Sequence, residues 1–580
     1  MKFNKTPTIK ISPELDNCFL GWNNILAEIK SKISENNQYK SIVVECYQGC
    51  HLAEIKEKLK SYFSNSTIID SADYMKTEEE IRIMTQPNVT NDRVFGVITK
   101  LVMSNFFNNQ KLDEFKNSVI SNELTIYFGI GASVLIDEPD LLIYADMARW
   151  EIQQRMRKNI VNNIGINDRN ESIEKQYKRA YFVDWRVCDE LKKKLLPKLD
   201  FVLDTNNSSE PKLATGNAIR SILNQATKQP FSVVPYFDAG PWGGQWMKER
   251  FDLDKNSKNF AWSFNCVPEE NSLLIEFSNA NFEIPSINVV FYKPVELLGP
   301  KVFKQFGAEF PIRFDFLDTM GGGNLSLQVH PLKEYIKEQF GMSYTQDESY
   351  YMLDAGENAY VYLGTNDDIN PEDMIKDLKK TQLNGHVFEA DKYSTKWDAK
   401  KHDHFLIPAG TIHCSGKDCM ILEISATPYI FTFKLWDWGR LGMDGRPRPI
   451  SIEHGEKVIQ WDRTPEWTQN NLINQFEEIK SGDGWIEEKT GLHDLEFIET
   501  RRQWFECKVS HNTENTLNVL MIIDGEQAVV ESPSNAFEPF IVNYAEAFIV
   551  PARIGAYTVK PTGNSEGERI ALIKAFVKNY

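Results

Sequence analysis

At 580 residues, with 42% apolar and 25% charged side chains, the chain is ordinary in composition but too long for one core, at roughly 150 residues per domain. A net charge of −17 excludes a surface built for a nucleic-acid backbone, and no apolar run reaches the roughly 18 residues of a membrane span. The N-terminal MKFNKTPTIKISPEL lacks the apolar stretch of a signal peptide, and eight cysteines without a CxxC pair exclude a disulfide framework, so a cytoplasmic location is expected.

From residue 1 to about 228, apolar strand-like runs alternate with charged amphipathic helices, as in parallel α/β folds. SIVVECYQG, from Ser41, reads as a buried strand and HLAEIKEKLKSYF as the helix after it. STIIDSADYM is a second strand, ending at Asp70 and Asp73, and ELTIYFGIGASVL a third. ADMARWEIQQRMRKNI reads as a long helix with a basic face, LDFVLDTNN as a last strand and NSSEPKLATGN as a linker.

From 229 to about 480 the texture changes. Gly and Pro cluster at turns (DAGPWGGQW, TMGGGNL, IPAGTIH, MDGRPRP) between short β-rich runs such as NLSLQVHP, YVYLG, MILEISA and YIFTFKLWDW. Many short strands with such turns predict an antiparallel barrel or sandwich, interrupted by one helical insertion, PEDMIKDLKKTQL. A last region, 481–580, resumes the β pattern, and its AEAFIVPARIGAYTVKP echoes HDHFLIPAGTIHCSG, as a duplicated barrel would.

Histidine is scarce and clustered. Of nine, six lie between His330 and His454: these two with His386, His402, His404 and His413. Gln328 and His330 sit two apart in a strand-like run and leave one face. His413 follows the tight turn PAGT, and Glu348 brings a carboxylate from a third segment. Two imidazoles, a carboxylate and an amide oxygen suit a borderline divalent cation such as zinc, with positions open for water or substrate. His402 and His404 form a rival HxH pair.

LSLQVHP, QDESYYML, FLIPAGTIHC, MILEIS and KLWDWGRLGMDGRPRP, preceded by PWGGQW, stand in one order over about 235–460. In that order they resemble the motifs of the class I phosphomannose isomerases. The resemblance implies a double cupin with a metal-bearing first half; at the echo of PAGTIH the second half has PARIGAY, with no histidine, and is read as a ligand-free, structural half. It makes Gln328, His330, Glu348 and His413 the ligands of one divalent metal, zinc first, and leaves His402 and His404 outside the set. It implies interconversion of mannose 6-phosphate and fructose 6-phosphate through an enediol, with a general base moving a proton and cations steadying oxyanion and phosphate.

The chain departs from the family at the catalytic surround. Gln346 stands where the family commonly has a lysine, and Lys434 where it commonly has an arginine, which loses a bidentate fork. Gln346, Lys434 and Arg440 are the candidate catalytic positions, with Lys333, Arg446 and Arg448 as further cations nearby.

The strand order of residues 1–228, the Asp70/Asp73 pair, IYADMARWEIQQRMRKNI and KRAYFVDWRVCDELKKKLLPKLDFVLDTN resemble P-loop nucleoside or uridine kinases. A working phosphate loop needs a lysine and a hydroxyl after its glycines, and here Cys50 and His51 follow Gly49. A degenerate kinase-like domain is expected, with Arg149, Arg155 and Arg157 on a solvated helix face or, as the alternative, as residual phosphate contacts. Two readings of the whole chain stand: a metal-dependent sugar-phosphate isomerase, or a non-catalytic sugar-phosphate-binding regulator. Both expect a small sugar phosphate as partner, with no nucleic acid and no membrane; the oligomeric state is open.

Overall fold

The computed structural model describes residues 2–578 apart from 36–38, 118–122, 385–386, 427–430, 442–447, 449 and 495. The chain forms two compact units. One holds Thr8–Gln225 with Ser272–Tyr292; the other holds Met1–Pro7, Ala226–Asn271 and Lys293–Tyr580. A single cut near 228 therefore misses the excursion Ser272–Tyr292. Its strands Ser272–Glu276 and Asn281–Pro285 pair with each other, and the first pairs in parallel with Thr8–Lys10. Among the described residues, no helix is long and apolar enough to cross a membrane.

The first unit is built on a seven-stranded sheet. Five parallel strands (Ser41–Cys46, Thr67–Asp70, Thr125–Gly129, Leu141–Asp146 and Phe201–Asp204), numbered along the chain, lie in the order 2-3-1-4-5. Lys212–Thr215 and Cys18–Leu20 extend the sheet antiparallel. Val43, Ile126 and Ile143 are fully buried, because helices cover parallel sheets on both faces. Two expectations are corrected. LLIYAD is a wholly buried strand and the helix begins only at Arg149, since nothing in YADMAR breaks a helical pattern. The supposed linker contains Lys212–Thr215 and runs into the helix Gly216–Ala226; its polar NSSEP start concealed a short strand.

The second unit contains two half-barrels, each of two antiparallel sheets. In the first, the large sheet runs His404–Ile407, Glu348–Ala355, Cys419–Ser425, Arg313–Asp318, then Trp262–Cys266 and Tyr236–Asp238. The facing sheet runs Lys396–Asp398, Tyr360–Leu363, His413–Ser415, Leu327–Val329, Phe433–Trp436. In the second half, Ala547–Val550, Asn518–Asp524, Ile570–Val577 and Ile498–Phe505 lie side by side in one sheet. Phe540–Asn543, Gln527–Glu531, Ala556–Pro561 and Val509–Asn512 form the other. Taken in chain order, the strands from Arg313 to Ser425 and those from Ile498 to Val577 occupy the same places in their sheets. Phe505, Leu520, Ile522, Ile570 and Leu572 form part of the second half's core. The helical insertion is Pro371–Asn384.

Candidate metal centre

Three strands of the first half-barrel deliver one cluster. Gln328 lies opposite His413 across the small sheet, and Glu348 opens its strand in the large one. His330, Glu348 and His413 are all 0% exposed. His330 Nε2 lies 3.0 Å from one Glu348 oxygen and His413 Nε2 3.0 Å from the other. One ligand atom from each of the three falls within 4.8 Å of the others. Gln328 Nε2 is 3.2 Å from His413 Nε2.

The rings are oriented from behind. His330 Nδ1 is 2.7 Å from the Phe431 carbonyl, and His413 Nδ1 is 2.9 Å from that of Thr411. A carbonyl accepts only, so Nδ1 carries the proton and Nε2 presents its lone pair inward, the tautomer a metal requires. His330 Nε2 and Glu348 Oε1 are buried without a hydrogen-bond partner, despite the short contacts. Atoms that converge without pairing suit a shared cation better than each other. Gln328 must offer Oε1, which accepts from Ser326 at 3.0 Å; turning the amide exchanges its two ends, and a hydroxyl serves either.

The surrounding charge fits the same group. Desolvation would raise Glu348, yet His330 and His413 hold it well below the usual range. Burial, then Glu348 and Asp315, push Glu423 well above that range, and burial pushes Asp315 to about 6. A divalent cation would relieve this crowding of buried carboxyls. Asp315 and Glu423 face each other across adjacent strands and went unnoticed in the sequence, although a carboxylate inside the apolar MILEIS was a readable signal. The Phe431 and Thr411 carbonyls leave no sequence signal.

The candidate catalytic positions Gln346 and Arg440 are engaged within the fold. Gln346 donates to Glu348 Oε2 at 2.8 Å and accepts from the Phe431 amide at 3.1 Å, so it orients the carboxylate and supplies no charge. Lys434 lies opposite Gln328 in the small sheet; burial and then Arg448 push its amine down to about 8. Arg440 and Arg448 both pair with Asp437, at 2.7 and 2.8 Å. Arg446 and His386 lie outside the described residues. The rival pair does not join the cluster. His402 meets Tyr351 and Asp524, at 3.1 Å each, while His404 is buried with both nitrogens unpartnered. His454 meets Tyr335 at 2.7 Å and stacks on Phe433.

In the other unit, the turn after Ser41–Cys46 is closed on itself. The Cys50 amide donates to Tyr47 and that of Leu52 to Cys50. A Cβ on Gly49, whose φ is +102°, would lie 2.8 Å from Ile152. The buried Arg155 donates to the carbonyls of Gly49, Thr205 and Asn206 at 3.0, 2.5 and 3.3 Å, and to Glu151 at 2.9 Å. Arg149 pairs with Asp189 at 2.6 Å. Arg149 and Arg155 are thus buried among partners of the fold, which corrects the expected solvated helix face; Arg157 too has partners.

Residues 21–228 match a family described as a domain of unknown function (DUF8485). A mannose-6-phosphate isomerase of Streptococcus mutans is 27% identical over 232 residues, 39% of this chain and 67% of its own. The mannose-6-phosphate isomerase ManA of Bacillus subtilis is 23% identical over 241 residues, 41% of this chain and 71% of its own. The crystal structure of a Bacillus subtilis mannose 6-phosphate isomerase is similar over 60% of this chain and 99% of its own, with a TM-score of 0.48 at 17% identity. A zinc-bound mannose 6-phosphate isomerase is similar over the same shares, with a TM-score of 0.46 at 13% identity.

Proposed function

We propose that this chain is a metal-dependent sugar-phosphate isomerase that interconverts mannose 6-phosphate and fructose 6-phosphate. Gln328, His330, Glu348 and His413 hold one divalent metal, zinc first. The observation that carries the reading is the pair of imidazoles turned by backbone carbonyls so that both Nε2 atoms face Glu348. The relatives' names supply the substrate. When bound, the metal polarises and orients the sugar oxygens. Gln346 fixes the Glu348 carboxylate, Lys434 stands opposite Gln328 on the neighbouring strand, and Arg440 is held at the strand end by Asp437. We read the first unit as a degenerate kinase-like domain with a regulatory or assembly role, a reading supported by the closed turn after Ser41–Cys46.

One arrangement favours a second reading, a sugar-phosphate-binding regulator: a neutral Gln346 occupies the place beside the carboxylate where a cation would assist charge development. A coupled assay with mannose 6-phosphate on zinc-reconstituted full chain separates the two. Turnover that vanishes in His413→Ala establishes the isomerase. No turnover in protein carrying its metal sinks it and leaves the regulator.

A further inference from the structure

The second half-barrel contains a cavity of about 690 Å³, lined by Lys480, Glu487, Arg501, His511, Asn518 and Lys574 among others. Apart from Lys480, on the exposed edge strand Glu477–Gly482, these residues sit on strand faces that also carry core side chains. Along Ile498–Phe505, core Phe505 gives way on the same face to Gln503, Arg501 and Glu499. Along Ile570–Val577, Ile570 and Leu572 give way to Lys574; along Asn518–Asp524, Ile522 and Leu520 give way to Asn518. Val509 gives way to His511. Several strands thus turn from apolar to polar at one end of one barrel, which costs core stability and calls for a ligand.

The duplication shows where that end lies. In the first half, Asp315 faces Glu423, two residues from the Ser425 that pairs with ligand Glu348. In the second half, Arg501 faces Lys574, two residues from the Phe576 that pairs with Asn518. Each of these sites opens at the first residue of the corresponding strand, Glu348 or Asn518. His511 faces Tyr557 on the strands that correspond to those pairing Gln328 with His413. At matched places, two buried carboxyls beside a cation site are replaced by two cations.

Four cations line the cavity, Lys480, Arg501, Lys574 and Lys578, against three carboxylates, Glu487, Glu499 and Glu514. Glu487 is approached by Lys480, Arg501 and Lys574, at 3.1, 3.5 and 3.6 Å, and Glu499 takes Arg501 at 2.6 Å. Like charges directly opposite on paired strands repel, as Arg501 and Lys574 do. Burial, against the pull of Glu487 and with Arg501 and Lys480 nearby, holds the Lys574 amine below its ordinary range. His511 is 8% exposed, and its Nε2 is buried without a hydrogen-bond partner. The Tyr557 hydroxyl donates to Asn518 at 2.9 Å, which fixes that amide beside the cavity.

We infer that the second half-barrel binds a small oxyanion-bearing metabolite, a phosphate monoester first, with Arg501 and Lys574 on the oxyanion and His511 and Asn518 on the remainder. Sequence reasoning expected this half to be ligand-free because it lacks the histidine of the echoed motif. The charge inversion assigns it a ligand of the opposite sign.

The test is calorimetric titration of the full chain with inorganic phosphate, mannose 6-phosphate and citrate. Phosphate is expected to bind wild type and His413→Ala alike, and Arg501→Met or Lys574→Met to weaken it about tenfold or more through the lost charge-assisted bond. If Lys574→Met fails to fold, Arg501→Met, at a partly exposed side chain, decides alone. Citrate binding as tightly as phosphate, with the same loss in the variants, keeps the oxyanion site and makes a carboxylate its source. No binding of any probe at millimolar concentration overturns the inference, as does phosphate affinity unchanged in Arg501→Met or lost in His413→Ala.

Discussion

Two strand-end sites in this chain are rich in polar atoms and differ in what those atoms face. After Ser41–Cys46, the turn amides fold back on the loop's own carbonyls, and Arg155 takes up three further carbonyls. At the His330–Glu348–His413 cluster, the backbone orients the rings and leaves His330 Nε2 and Glu348 Oε1 without partners. Buried polar groups satisfied within the fold hold structure, whereas convergent ones left unpartnered leave room for a ligand.

The largest effect should come from breaking the satisfied site. Arg155→Met leaves Glu151 and three carbonyls without their donor and should cost the first unit about 3 kcal/mol. Hydrogen exchange across Ser41–Cys46 and Thr125–Gly129 reads this loss, while metal content stays unchanged. Preserved protection together with lost phosphate binding would turn Arg155 into a ligand residue.

Gln346→Ala sharpens the other side of the contrast. It removes the amide that anchors Glu348 to the Phe431 backbone and should lower zinc affinity about tenfold in a chelator competition, the usual cost of losing an orienting partner. Unchanged affinity would show that the carboxylate is held by other means.

His404 tests the contrast from a third direction, since its unpartnered nitrogens have no convergent neighbours among the described residues. Burial, then Arg502, lowers its pKa from 6.5 to about 3. The folded state therefore binds fewer protons than the unfolded state across this window. The stability it contributes is fully present above pH 6.5 and is lost as pH falls toward 3, by at most about 1.4 kcal/mol per unit. His404→Leu should flatten the acid side of the stability profile in urea melts at pH 7 and pH 5. An unchanged slope would place the titration elsewhere, with the buried His511 as the next group to test.

Much of this was legible in the residues. Thr67–Asp70, at the sheet's edge, is only partly buried, but the runs from Ser41, Thr125 and Phe201 are strands because parallel sheets bury both faces and the sequence is largely apolar there. Leu141–Asp146 has the same character, yet it merged with the helical pattern that follows, and periodicity alone does not separate a short buried strand from a helix. The four candidate ligands were readable because side chains carry them. The Phe431 and Thr411 carbonyls were not, since a backbone atom carries no residue signature. The return of Ser272–Tyr292 to the first unit depends on long-range pairing with Thr8–Lys10, which local pattern does not encode.

Metal content of the full chain, after reconstitution with zinc and dialysis, tests the central claim most directly. The convergent triad requires about one zinc per chain in wild type and in His402→Ala, and close to none in His413→Ala or Glu348→Gln. Zinc retained by both of those variants, or absent from wild type, would contradict a metal at His330, Glu348 and His413.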